Sequence, residues 1–207
     1  MACVLRALLL MACWLALYEA RLEAQEPPQR VAARLLADWA ADLKNGDEQE
    51  RLKAVRTLPV FGRHAADALQ DALSDPSPAV RYAAAEAVGN LRLASPERLE
   101  ELLEDEHVAV RTAAAYARLR HGTHERAFVQ LISAVTYNNR TLPLAAIDFL
   151  EKLGLEGDLN ERQRQEAVMA MDRRINDQDS HIAKAANRSI RSLKREDSNA
   201  AGAANEN

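Results

Sequence analysis

Apolar side chains recur along the stretch from Asp75 to Leu91 with the 3.6-residue period of an amphipathic helix. Asp75 can accept backbone N–H groups at the helix entrance, and Pro76 and Pro78 are tolerated in a first turn. The stripe is mostly alanine, which lets neighbouring helices approach closely. It consists of Val80, Ala83, Ala84, Ala87, Val88 and Leu91.

The same six-position stripe can be placed four more times along the chain, at intervals of thirty, thirty, thirty-two and forty residues. Second helices are predicted in the intervals, at 63–73, 96–104, 124–135 and 160–175. A helix, turn and helix repeated at this period predicts an all-α fold, an α-α superhelix or solenoid of about five helix pairs. The five stripes begin at Glu50, Val80, Val110, Leu142 and Ile182.

The first twenty-four residues differ from the rest of the chain. An apolar run from Ala7 to Tyr18 follows Arg6, and Leu22-Glu23-Ala24 resembles a processing site. This layout predicts a secretory signal peptide at 1–24, with a retained anchor, a lipidated Cys13 or a buried first helix as open alternatives. We therefore expect an exported protein that is periplasmic, secreted or anchored to a membrane.

The remaining chain divides into three predicted segments. Residues 25–46 are expected to form a Pro-containing linker and an N-terminal capping helix that carries Trp39 in its apolar stripe. Residues 47–195 form the repeat array, and 196–207 are small and polar and are predicted to be disordered.

The composition indicates a globular protein but does not indicate a specific function. The chain has 48% hydrophobic and 28% charged residues and a net charge of −4, as a globular domain does, and this charge disfavours general polyanion binding. Both cysteines, Cys3 and Cys13, lie in the leader, so the mature chain is predicted to have no disulfide and no thiol chemistry.

Several of these motifs carry a family resemblance. Asp75-Pro76, then Ala79-Val80-Arg81 and the alanine run that ends at Gly89, resemble HEAT repeats. The same pattern returns at Asp105 and Val110-Arg111. The repeats are similar to the short, alanine-rich kind of phycocyanobilin-lyase-like arrays, and their order resembles the arrays that follow secreted bacterial sulfatase domains. The resemblance specifies the fold far better than the function.

The resemblance implies a structural role for four charged residues. In HEAT repeats, an Asp before the first helix and an Arg near its start commonly bond between neighbouring units. These Asp–Arg bonds form a ladder along the array. Pro143 and Ala183 replace the Arg in the last two units, so the ladder is expected to weaken there. The residues at these positions are Asp75, Arg81, Asp105 and Arg111.

No sequence motif predicts a catalytic, cofactor-binding or metal-binding site. The cluster of His107, His121, His124 and Glu125 straddles a turn, whereas a metal site needs three or four converging ligands. A sulfatase nucleophile would need Cys or Ser before x-Pro-Ser-Arg, and Ser74-Asp75-Pro76-Ser77-Pro78 lacks the Arg. We therefore predict a protein that is not an enzyme and has no cofactor.

Charge is distributed unevenly along the array. Residues 97–106 hold six acids against one base, whereas 162–195 hold nine bases against four acids. Most such runs are solvated faces, but a polarised surface can also orient a partner. Second helices usually line the concave side of such arrays, so their outward residues are the candidate partner surface. These are Glu97, Glu100, Glu101, Glu104, His124, Arg126, Gln130, Arg164 and Gln165.

The favoured hypothesis is a non-enzymatic, exported scaffold that binds another protein. The first alternative is an accessory or lyase-like module associated with a sulfatase or a pigment-bearing partner. The second is polyanion binding through the basic C-terminal third. Nucleic acid is not expected as a partner, and membrane association through an uncleaved N-terminal segment stays open.

Overall fold

The computed structural model describes residues 27–93 and 96–204, and describes side chains up to Arg195 except at 94–96. The chain divides into two compact units, Met1–Asp38 and Trp39–Asn207. The predicted signal peptide at 1–24 lies outside the described residues. Of the first unit, the structure describes only residues 27–38, so the fold below is that of the second unit.

Every described element is a helix, which confirms the predicted all-α solenoid fold. A 3₁₀ helix, η1, spans Leu58–Ala65. The α-helices are α1 (Pro28–Asn45), α2 (Glu48–Thr57), α3 (Ala66–Ala72), α4 (Pro78–Asn90), α5 (Pro96–Leu102), α6 (Val108–Leu119), α7 (Glu125–Val135), α8 (Thr141–Leu155), α9 (Glu161–Asp172) and α10 (Ser180–Ala204).

Helices α2, α4, α6, α8 and α10 are the first helices of successive units, and each packs against the next one along the chain. The second helices α3, α5, α7 and α9 pack against the first helices around them. One stripe position is a fully buried alanine in every unit, which confirms the repeat registration. These alanines are Ala54, Ala84, Ala114, Ala146 and Ala186.

Local sequence explains where the helices begin. Asp47 forms a capping box with Glu50 at the start of α2, and Asn160 forms one with Gln163 at α9. Helix α4 begins at Pro78, and Asp75 stands before it, where its Oδ1 accepts the Ser77 N–H at 2.8 Å. The carboxylate predicted to lie at the helix entrance therefore closes the preceding turn.

The predicted second helix at 63–73 is wrong in its first three residues. The chain continues from α2 into η1, and α3 begins only at Ala66. Pro59 lacks an N–H for the α-helical ladder, and Gly62 adopts a φ of 58°, which few other residues tolerate.

The tail and the third stripe also differ from expectation. Helix α10 continues to Ala204, whereas disorder was predicted from 196; the alanine-rich sequence favours helix beyond the last packed residue. The side chains of Tyr116 and Leu119 in α6 and of Arg120 just after it are buried, while Arg118, expected in the stripe, is only half-buried. Since α6 is surrounded by α4, α5, α7 and α8, more than one of its faces is covered.

Across the helices that the structure describes, none combines the length and apolar character needed to cross a membrane.

Candidate functional site

Most of the predicted partner surface on the second helices is engaged within the chain. Glu100 bonds Arg118 at 2.8 Å and His124 at 3.0 Å, and Glu104 contacts Arg126. Gln130 donates to the Leu103 carbonyl at 2.9 Å. These side chains hold helices of the array together, which leaves less of their hydrogen-bonding capacity for a partner.

The remaining members of that set lie on two separate helices, α5 and α9. Glu97 and Glu101 are exposed on α5, and Glu101 lies 3.6 Å from Arg98. Arg164 donates to the Gly154 carbonyl at 2.8 Å, and Gln165 donates to Glu161 at 2.6 Å. The structure therefore does not bring the nine candidates together in one site.

The predicted Asp and Arg positions do meet across units. Arg81 makes two bonds to the Asp105 carboxylate, at 2.7 and 3.1 Å, and its third nitrogen donates to the Asp75 carbonyl at 2.9 Å. Arg51, which the sequence analysis missed, makes the same paired contact with Asp75 at 2.8 and 3.0 Å. Its position thirty residues before Arg81 was the available signal.

The ladder ends at Arg111. This side chain donates to the carbonyls of Asp105 and Glu106 at 2.6 and 3.1 Å, but pairs with no carboxylate among the described residues. The equivalent of Asp105 in the next unit is Tyr137, so the acidic partner is missing.

A second charge network at the other end of the first helices was not predicted. Arg120 is 5% exposed and bonds both Glu156 at 2.5 Å and Asp158 at 2.8 Å. Arg92 adds two bonds of 2.9 Å to Asp158 and donates to the Arg120 carbonyl at 2.7 Å. The network ties the ends of three units together, and no local sequence pattern connects residues so far apart.

An apolar-lined depression lies on the first helices rather than on the second. Two adjoining depressions, of about 470 and 310 Å³, share Arg56 and Tyr82. Together they form the first-helix groove. Its lining is Val55, Arg56, Pro59, Pro78, Ala79, Tyr82, Ala83, Glu86, Ala87, Asn90, His107, Val108, Ala109, Val110, Asn139, Thr141, Leu142 and Ala145.

Small residues of α4, α6 and α8 create this space. Ala79 and Ala109 are exposed and Ala145 is half-buried, and each ends at Cβ where a longer side chain would fill the groove. The same alanine enrichment that lets helices approach closely therefore leaves an open surface above them.

Three polar side chains lie along this groove. Arg56 on α2 and Tyr82 on α4 border both depressions, and Glu86, one turn after Tyr82 on α4, borders the smaller one. None of the three makes a hydrogen bond or ion pair with another described residue. Nearby, Tyr116 donates its hydroxyl to Asn90 Oδ1 at 2.7 Å, so the Asn90 amide keeps its donors.

Burial shifts the pKa of both acidic groups of the groove, Tyr82 and Glu86. It raises the pKa of Tyr82 to about 12, with a further contribution from the Glu86 charge. It also raises the pKa of Glu86 above its usual value, and Asp148 adds to the shift, whereas Lys152 and Arg56 oppose it. The Glu86 carboxylate is therefore held in a site that disfavours its charge.

A separate polar depression of about 570 Å³ lies along α10. Four cations border it at helical spacing, Lys184, Arg188, Arg191 and Arg195, and all four are exposed. Arg188 lies 3.5 Å from Glu151, while the other three have no ion-pair partner among the described side chains. This is the basic α10 face.

The histidine cluster does not converge on a metal position. His124 Nδ1 accepts the Ala127 N–H at 3.2 Å, and its other nitrogen faces Glu100. Over the part of the chain that the structure describes, no three His, Cys, Asp or Glu side chains form a group suited to a metal ion.

Comparison with known proteins agrees with this architecture. The family model for HEAT repeats matches residues 36–120. Among curated proteins, none matches the chain.

Three solved structures are similar to the chain at low sequence identity. A designed armadillo repeat protein in complex with the peptide (KR)4 has a TM-score of 0.53 at 16% identity, covering 80% of this chain and 84% of that one. An engineered protein gives 0.40 at 15% identity, with coverages of 77% and 96%. A second designed armadillo repeat protein gives 0.34 at 15%, with coverages of 76% and 99%.

The fold and its stacked helix pairs define an α-solenoid repeat protein. Within this solenoid, residues 36–120 match the HEAT-repeat family.

Proposed function

We propose that this chain is a non-enzymatic interaction scaffold that binds a segment of another protein in the first-helix groove. The observation that carries the proposal is the groove itself, an apolar floor interrupted by three polar side chains without partners in the described chain. In recognition grooves, apolar contacts usually provide most of the affinity, and a few polar groups at fixed positions orient the ligand.

The fold supports a polypeptide as the occupant. Repeat arrays use continuous surfaces that cross several units, and this groove crosses four consecutive first helices, α2, α4, α6 and α8. The similar designed armadillo repeat protein was solved with a bound peptide. A flexible segment can follow such a surface from unit to unit, and its backbone can use Asn90, Asn139 and Thr141.

Export remains part of the proposal because the N-terminal sequence has the layout of a signal peptide. The partner is then a protein of the cell envelope or exterior. A sulfatase or a pigment-bearing protein is a narrower form of the same proposal and rests on the resemblance of the repeats alone.

Position-specific photo-cross-linking tests the groove. A photoreactive phenylalanine analogue at Ala109 lies in the groove, and the same analogue at Val129 lies on α7, where that side chain is 56% exposed. In the cell's own envelope fraction, we expect one partner to be captured from Ala109 and not from Val129.

Blocking variants provide the matched control. Ala109→Trp should reduce partner capture by at least about tenfold because the indole fills the groove, whereas Val129→Trp should not. Capture from Val129 alone, or capture unaffected by Ala109→Trp, would place the partner on the second helices and overturn the proposal.

The basic α10 face favours a second candidate function, binding of a sulfated glycan or similar polyanion. Four exposed cations along three helical turns can each contact an anionic group, and affinity should then fall with salt. Charge reversal at Arg188, Arg191 and Arg195 should abolish retention on heparin. Retention equal to that of the unmodified chain would discard this candidate and leave the groove proposal untouched.

A further inference from the structure

We infer that the first-helix groove contains a subsite for one lysine or arginine side chain of the bound segment, with Glu86 as its carboxylate and Tyr82 beside it. This inference rests on the proposed function, since it assigns the chemistry of one position in the bound segment.

The first argument is that no cation of the described residues is paired with Glu86. Glu86 lines the groove next to Arg56, Tyr82 and Asn90, yet it forms no ion pair or hydrogen bond with a described residue. Lys152, the nearest competitor on α8, is paired with Asp148 at 3.0 Å. Arg56 lies across the groove on α2 and is exposed to solvent. A free carboxylate therefore remains inside a surface that is otherwise largely apolar.

The second argument is the energetic cost of that carboxylate. Burial raises its pKa, so the charged form is less favourable here than in water. An arriving ammonium or guanidinium group replaces the lost hydration and reverses this penalty, because an opposite charge close by favours ionisation. Glu86 thus weakens the free protein slightly and strengthens a complex with a cation.

The third argument is the neighbourhood of the subsite. Tyr82 lies four residues before Glu86 on the same face of α4, and its ring can pack against the aliphatic stem or the charge of a cation. Its hydroxyl has no partner among the described residues. Asn90, four residues after Glu86, keeps its amide donors for a backbone carbonyl of the segment. Three successive turns of one helix then contact the side chain and main chain of the same bound residue.

Selection from a random peptide library displayed on phage tests the subsite without knowledge of the natural partner. The bait is the full mature chain in three versions: unmodified, Glu86→Gln and Glu97→Gln. Glu97 is an exposed acid of α5 outside the groove, so Glu97→Gln makes the same change in net charge at a matched but uninvolved site.

We expect Lys and Arg to be enriched at one position of the peptides selected by the unmodified chain and by Glu97→Gln, and this enrichment to vanish with Glu86→Gln. A selected peptide should lose about tenfold in affinity when its Lys is replaced by norleucine. That replacement should make no difference to Glu86→Gln, which isolates the pairwise contribution.

Arg56→Gln tests whether Arg56, the cation that lines the groove, competes with a bound Lys or Arg for Glu86. Removing Arg56 should leave the basic preference in place or strengthen it, because a competing positive charge is gone. A preference that disappears with Arg56→Gln would overturn the inference.

The outcomes separate the two proposals. Peptides selected without a basic preference, or with one that survives Glu86→Gln, overturn the subsite and leave the groove intact. Failure to select any peptide that Ala109→Trp displaces contradicts the groove itself and so the proposed function. Circular dichroism of Glu86→Gln confirms folding, which the neutral amide of equal size should preserve.

Discussion

At the scale of single residues, Arg81 shows how one repeat is fixed against the next. Its guanidinium joins the turn of its own unit to the Asp105 carboxylate of the following one, and both side chains are largely shielded from solvent. Burial alone would raise the pKa of Asp105, but the hydrogen bonds from Arg81 and from the His107 N–H outweigh it and lower the pKa. Arg111 makes the same contacts with backbone carbonyls but has no carboxylate partner, so it serves as a control for the ion pair of Arg81.

Arg81→Ala should destabilise the array by about 2 kcal/mol, since it leaves a shielded carboxylate without its partner. Arg111→Ala should cost less than about 1 kcal/mol because only carbonyl contacts are lost. Urea unfolding followed by circular dichroism measures both. Equal costs for the two variants would show that the ion pair adds nothing beyond the turn contacts.

The cost of Arg81→Ala should also depend on pH. A carboxyl group with a lowered pKa contributes stability above the pKa of the unfolded chain and loses it as pH falls through the folded value. The difference between the unmodified chain and Arg81→Ala should therefore shrink below about pH 4. Unfolding curves at neutral and acidic pH test this, and a difference independent of pH contradicts it.

Glu86→Gln should stabilise the protein, in contrast to Arg81→Ala. Because the folded pKa of Glu86 is raised, its ionisation weakens the native state as pH rises through the unfolded and then the folded value. The variant should thus melt at a higher temperature than the unmodified chain near neutral pH, and the advantage should vanish at about pH 4. Glu97→Gln, at an exposed position, serves as the control and should show neither effect.

At the scale of helices, the close approach of α4 and α6 depends on Gly89. A Cβ at this position would lie 2.9 Å from the Ala117 Cα and 2.9 Å from the Tyr116 ring. The Tyr116 ring is itself stacked on Phe149 at 4.3 Å, so it has little room to move. The small residues Gly89 and Ala117 are therefore a condition for this packing.

Gly89→Ala should destabilise the protein by about 1 to 3 kcal/mol despite the better helix propensity of alanine, because α4 and α6 must separate. Gly154→Ala is the comparison, since its added Cβ would meet the end of the flexible Leu193 side chain rather than backbone. Thermal unfolding should rank Gly89→Ala as the more harmful change. The reverse order would mean that α4 and α6 can shift apart more easily than Leu193 can change rotamer.

At the scale of the whole array, Trp39–Asn207, the network around the buried Arg120 connects repeats that are not neighbours. A simple linear array lacks such connections. Neighbouring units share most contacts, but Asp158 receives hydrogen bonds from both Arg92 and Arg120, which belong to two earlier units. Loss of one carboxylate should be felt at a distance along the chain, unlike the nearest-neighbour behaviour of an ideal repeat array.

Asp158→Asn should speed amide hydrogen exchange at the C-terminal ends of α4 and α6, since Arg120 is left buried with one fewer negative partner. Glu161→Gln, a nearby exposed change, is the matched control. Hydrogen exchange followed by mass spectrometry measures the effect by segment. An increase confined to the loop around Asp158 would show that the three units are not coupled through this network.

The predicted fold was largely correct, and the reason is local. Helical periodicity and helix starts such as Asp47 and Asn160 depend on residues within a few positions of one another. Two local expectations were wrong. The second helix of the first unit begins at Ala66 rather than at 63, because Pro59 and Gly62 favour a 3₁₀ segment before it. The segment after Arg195 continues the helix although its sequence lacks an apolar stripe.

The candidate surface was much less predictable. Charge runs pointed to the second helices, but the structure shows that Glu100, Glu104 and Gln130 bond to other parts of the array. Whether a charged residue is free depends on partners brought near by packing, and a run of charges along the chain does not contain that information.

The sequence by itself determined the repeat period and the alanine that is buried in every unit, because both follow from side-chain spacing along single helices. Only the tertiary structure decided where those helices leave a groove and that Glu86 lies in it without a partner. The physical reason is that a groove and an unpaired charge are properties of several units in contact, and no one repeat specifies which neighbours its polar side chains will meet.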